Sequence, residues 1–116
     1  MSDGLTPPPG RLDVTVAASD GQATVVLVGE LDLASVPDLE RGLDEARGAG
    51  PSRIVVDLGR LAFIDSSGLR AIIQADATAR EDGIELVLRP GGESVQRVFQ
   101  LTGALDALRF EDAPAS

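Results

Sequence analysis

The chain has no cysteine, no histidine, no lysine, no tryptophan and no tyrosine among its 116 residues. Without cysteine there is no disulfide framework and no thiol chemistry. Without histidine the commonest general base and the commonest zinc ligand are missing. All ten basic residues are arginine, which excludes Schiff-base and Walker-type lysine chemistry. Aromatic side chains are limited to Phe63, Phe99 and Phe110, so the core must be built from Val, Leu, Ile and Ala. No apolar run approaches the length of a membrane span. The N-terminus, "MSDGLTPPPG", has neither the basic nor the apolar region of a signal peptide. A cytoplasmic placement is therefore expected.

What is present is ordinary for one globular domain: 43% hydrophobic and 25% charged residues, enough to bury a sizeable core. The net charge of −9 disfavours nucleic acid and anionic membrane surfaces as partners. It suits a partner that carries a basic patch. Residues 1–10 are Pro/Gly-rich and residues 113–116 are similar in character, so both are expected as disordered tails around a domain at 11–112.

Along that domain the apolar periodicity alternates between strand and helix. Leu12, Val14 and Val16 alternate with Asp13 and Thr15, which predicts a half-buried strand over 12–18. A turn at 19–21 leads to a more buried strand over 22–29, and so short a connection requires an antiparallel hairpin. Ser35 and Pro37 open a helix, with Asp38 where a capping box places an acid. Val36, Leu39, Leu43 and Ala46 form its apolar stripe. A buried strand is expected over 52–58, a helix from about Ser67 to Asp82 and a strand over 84–89. A short helix over 93–101, and then a last short helical turn and an edge strand within 104–111, complete the pattern.

Strands separated by helices predict an α/β domain with a mixed, mostly parallel sheet of four to five strands. If the strands lie in chain order, right-handed crossovers place the helices mainly on one face. Groups beyond the carboxyl ends of adjacent parallel strands then gather on one rim. Two such ends are "GELD" at 29–32 and "DSSG" at 65–68.

Residues 65–68 break an otherwise apolar passage, and two readings compete for them. Ser66 is in place to act as an N-cap, its oxygen accepting from an orphan backbone N–H. The same helix start can also accommodate a phosphoserine, whose charge of about −1.5 to −2 would transform the surface beside Asp65 and Asp32. Gly68 permits either close backbone approach or tight packing on the preceding strand. Leu69, Ile72 and Ile73 read as a core stripe, interrupted by a solvated Asp76.

The segments "GELD", "VVDLGRLAFIDSSGL" at 55–69 and "SVQRVFQLTGALDALRF" at 94–110 together resemble the STAS domain of bacterial anti-sigma factor antagonists. The resemblance runs over about residues 12–111. It implies a protein without catalytic activity and without a cofactor or metal. Its partners would be an anti-sigma factor that is also an ATP-dependent serine kinase, and a serine phosphatase. By that resemblance the unphosphorylated form binds the anti-sigma factor and frees the sigma factor, and phosphorylation ends the binding. Ser66 matches the phosphoacceptor, with Ser67 as the secondary candidate. Glu30, Asp32, Asp65, Ser66, Ser67, Gly68 and Leu69 match the partner-binding surface.

Other readings remain on the sequence. A STAS domain can serve as a non-switching subunit of a membrane lipid-transport or sensory assembly, with no phosphate cycle. Asp32, Asp57 and Asp65 evoke the acidic pocket of an aspartyl-phosphate receiver, but such a domain is expected to carry a lysine that this chain lacks. An enzyme would have to rely on carboxylates alone, and no pair is persuasively spaced.

Overall fold

In the computed structural model, which describes residues 11–111, the chain runs β1 (Leu12–Ser19), β2 (Gln22–Leu31), α1 (Val36–Gly48), β3 (Arg53–Ile64), α2 (Ser66–Glu81), β4 (Glu85–Arg89) and α3 (Glu93–Thr102), then a short 3-10 turn (Ala104–Asp106). The two-residue turn between β1 and β2 has positive φ at both positions, Asp20 at 54° and Gly21 at 81°. That conformation matches the twist of an antiparallel hairpin. The expected tails at 1–10 and 113–116 lie outside the described residues.

The sheet follows chain order, β1-β2-β3-β4, with β1 antiparallel to β2 and the remaining pairs parallel. Ala23, Val25 and Leu27 of β2 point with Ile54, Val56 and Leu58 of β3 and Leu86 and Leu88 of β4 into one core. Leu39, Leu43 and Ala46 of α1, Leu69, Ile72 and Ala79 of α2, and Val95 and Phe99 of α3 close over it. Burying a Val, Leu, Ile or Phe side chain stabilises by about 1.5–3 kcal/mol, before the cost in conformational entropy. Phe110 meets Phe99 edge to face, with ring centroids 5.2 Å apart.

Strand β3 is longer than the periodicity predicts, and the reason is two bulges. Its pairing with β2 shifts register between Val26 and Val28 and again between Gly29 and Glu30. Each shift inserts one extra residue on β3. The inward positions therefore run Ile54, Val56, Leu58, Leu61 and Ile64, all buried, and simple alternation fails after Leu58. The Asp57 carboxylate accepts the Gly59 N–H at 2.8 Å beside the first bulge.

The opposite face of β3 and β4 carries charges. Arg53, Val55 and Asp57 stand in register with Glu85, Val87 and Arg89. Arg89 pairs with Asp57 at 3.2 Å and with Glu111 at 2.9 Å, and Arg109 pairs with Glu85 at 2.6 Å. The hydrogen bond to Glu111 is the main influence raising the Arg89 pKa above its ordinary value, against a smaller opposing effect of burial.

Several local expectations are corrected. Among the described residues, the final segment contributes one bridge, Leu88 to Phe110, beside the four-stranded sheet. Ser35 makes no side-chain cap bond at the start of α1, and Asp38 pairs with Arg41 one turn on, so no capping box forms. Ile73 is 40% exposed and lies off the core stripe. Asp76, expected in solvent, is buried on α2 with Arg80 paired to it at 3.0 Å. Among the described residues, no helix is long and apolar enough to cross a membrane.

Candidate functional site at the strand-to-helix rim

Because β2 and β3 are parallel neighbours, their carboxyl ends emerge side by side. Leu31 pairs with Ile64, and the Asp65 N–H donates to the Leu31 carbonyl at 3.2 Å. The "GELD" and "DSSG" segments therefore do share one rim.

The first turn, from β2 into α1, is tied by Ser35, which is only 2% exposed. Its hydroxyl donates to the Glu30 carbonyl at 2.8 Å and accepts the Asp32 N–H at 2.9 Å. Asp32 returns a bond, its carboxylate accepting the Ser35 N–H at 3.1 Å. These bonds tie the buried Ser35 hydroxyl to the backbone at both ends of the turn. They also leave Leu33 standing out from the turn, 73% exposed.

The second turn, from β3 into α2, is built differently. Asp65 is the N-cap: its backbone is extended and its carboxylate accepts the Gly68 N–H at 2.9 Å. An acid suits this position for its hydrogen bond and for its charge beside the helix dipole. The capping role considered for Ser66 thus belongs to Asp65, and Ser66 is the first helical residue. Ser66 is exposed, Ser67 is half-buried, and the Ser66 hydroxyl makes no hydrogen bond among the described residues.

Gly68 explains how close the two turns lie. A Cβ there would sit 2.6 Å from the Leu31 carbonyl oxygen and 2.7 Å from Leu31 Cγ. The first turn of α2 consequently rests directly on the end of β2. Gly68 and Leu69 are buried beneath the rim, whereas Glu30, Asp32, Asp65, Ser66 and Ser67 reach the surface in whole or in part. The contact surface expected from the motif is thus divided into a supporting layer and an accessible one.

Two features here had no place in the sequence reading, the exposure of Leu33 and the groove beside it. Leu33 and Ser67, with Val36, Ala71 and Gln74, line a shallow groove between α1 and α2, and Arg70 lies along it. The signal for Leu33 was an apolar residue placed immediately beyond a strand end. The acids of the receiver reading do not converge, since Asp57 is engaged with Arg89. Among the described residues, no group of acidic, histidine or cysteine side chains is placed to hold a metal ion.

A one-sided, mostly parallel sheet in chain order, with an aspartate-capped Ser-Ser-Gly helix start at its rim, defines a small α/β module. The chain belongs to the STAS domain family: the family model described as "Mlab, STAS domain" matches residues 14–109. An anti-sigma-B factor antagonist of Staphylococcus aureus is 28% identical over 102 residues, covering 88% of this chain and 94% of that protein. The crystal structure of an anti-sigma factor antagonist from Mycobacterium paratuberculosis superposes with a TM-score of 0.76 at 24% identity, covering 96% of this chain and 92% of that one. The Bacillus cell fate determinant SpoIIAA in its phosphorylated form gives 0.64 at 20% identity, covering 86% and 92%. At these identities the two structures speak for the fold.

Proposed function

We propose that this chain is an anti-sigma factor antagonist that is switched by phosphorylation of Ser66. The observation that carries the reading is the exposed, unengaged Ser66 hydroxyl on an aspartate-capped helix start. Asp65 performs the cap, so Ser66 is free to be modified without dismantling the turn. The names of the Staphylococcus aureus and Mycobacterium paratuberculosis proteins support the class of partner, an anti-sigma factor. That SpoIIAA of Bacillus, which shares this fold, has a phosphorylated form supports the modification.

In the proposed cycle the unphosphorylated rim, with Leu33, Asp32, Asp65 and Ser66 at its surface, binds the anti-sigma factor, which is also the kinase. Ser66 Oγ attacks the γ-phosphorus of the kinase's ATP. The bond from that phosphorus to the departing ADP breaks, and the hydroxyl proton passes to a base of the kinase. The serine then carries a charge of about −1.5 to −2 beside Asp65. An interface fitted to a neutral hydroxyl becomes repulsive, and like charges brought together there can cost several kcal/mol. A serine phosphatase restores the hydroxyl. No step is assigned to a catalytic group of this chain.

The test is phosphosite mapping after incubation with Mg-ATP and the cognate kinase, paired with a binding measurement. One phosphoryl group on Ser66, absent from Ser66→Ala, supports the reading. Ser66→Ala should retain partner binding and Ser66→Asp should lose it by at least tenfold. If neither change alters association, the switch is wrong. Copurification with fixed subunits under all conditions would favour a structural STAS component instead.

A further inference from the structure

Seven of the ten arginines are engaged in ion pairs: Arg41, Arg47, Arg53, Arg80, Arg89, Arg97 and Arg109. Arg70 is not; among the described residues it has no ion-pair or hydrogen-bond partner. It is exposed on α2, four residues after Ser66. Residues four apart on a helix lie on one face with Cβ atoms about 5–6 Å apart, within reach of a guanidinium and a phosphoryl group. The other arginine of α2, Arg80, is paired with Asp76.

We propose that Arg70 is the internal receiver of a phosphoryl group on Ser66, forming an ion pair that exists only in the phosphorylated chain. The inference rests on the phosphorylation reading for its biological setting, but its physics is independent of any partner. The helix start alone would serve a phosphate poorly, because the Asp65 carboxylate already occupies the Gly68 N–H. A dianion on Ser66 therefore sits beside a fixed negative charge, and Arg70 supplies the uncompensated positive charge on the same helix. Charge-assisted bonds between guanidinium and phosphate are among the strong ones and are often bidentate.

The pair would do more than ease repulsion. In the unmodified chain Arg70 lies along the groove with Leu33, Ser67, Ala71 and Gln74, with Glu40 on the α1 side. Drawn back one helical turn onto the phosphate, the guanidinium would no longer be presented to a partner in that groove. Phosphorylation would then add negative charge at Ser66 and withdraw positive charge from its neighbour in a single event. The groove would change without any movement of the backbone.

The experiment uses the full chain with phosphoserine installed at position 66 during translation, so no kinase is needed. Its probe is the phosphoserine itself, titrated by 31P NMR at low salt, where the second ionisation of a phosphoserine is near pH 6. With Arg70 present, the dianion is favoured and the titration should lie about half a pH unit lower than in the Arg70→Gln chain. Arg70→Lys should recover part of that difference, and about 1 M salt should erase most of it. Superimposable titrations of the Arg70 and Arg70→Gln chains would overturn the pair. Failure of a kinase to modify Ser66 would sink the switch reading while leaving this result standing.

Discussion

Two serines stand at two helix starts on the same rim, and they are used in opposite ways. Ser35 is buried, and its hydroxyl both donates and accepts within the turn it closes. Ser66 is exposed, and the cap it could have supplied comes from Asp65. Similar local sequence, a hydroxyl just before an apolar helical stripe, thus yields a structural fastener in one turn and an exposed, unengaged hydroxyl in the other. The deciding residue is the neighbour. Where an adjacent acid accepts the helix amide, the serine hydroxyl is left exposed and without that bond.

The contrast can be broken from its foundation upward. Gly68→Ala should have the largest effect, about 3 kcal/mol of lost stability in urea unfolding, because the new methyl meets the Leu31 backbone and the strand cannot yield cheaply. Ser35→Ala should cost about 2 kcal/mol by the same measurement, since it removes the hydrogen bonds that its buried hydroxyl donates to the Glu30 carbonyl and accepts from the Asp32 N–H. Asp65→Ala removes one cap bond and a favourable charge, and should cost about 1 kcal/mol. Ser66→Ala should fall within about 0.5 kcal/mol of the parent. Equal losses for Ser35→Ala and Ser66→Ala would show that the two serines are not divided as described.

Much of this arrangement is legible in the sequence. The alternation in 12–28 and the stripe of α1 depend on local periodicity, and the parallel pairing of β2 with β3 follows from the helix between them. That pairing is enough to place Asp32 and Asp65 on one rim. Other facts are not local in this way. Which of Asp65 and Ser66 takes the helix amides depends on where α2 begins, to within one residue, and periodicity cannot resolve that. The burial of Asp76 and the exposure of Ile73 depend on how far α2 is rotated against β4, a tertiary matter. The bulges of β3 conceal the second half of that strand, since Leu58, Leu61 and Ile64 are spaced by three and so break the period of two that marks a strand. Ser35 is recognisable as a helix-start residue, but its bonds run backwards into the turn and not forwards into the helix.

The chain-ordered sheet has a consequence for how the protein is made. As the chain leaves the ribosome N-terminus first, β2 finds β1 already present, and β3 finds β2. No strand must wait for a later one to be inserted between itself and its neighbour. Pairing of successive strands keeps the loops to be closed short, which favours rapid folding. The β2–β3 junction beneath Ser66 can therefore pair before β4 and α3 have docked onto it. The surface that distinguishes this domain would be among the first parts of it to take shape.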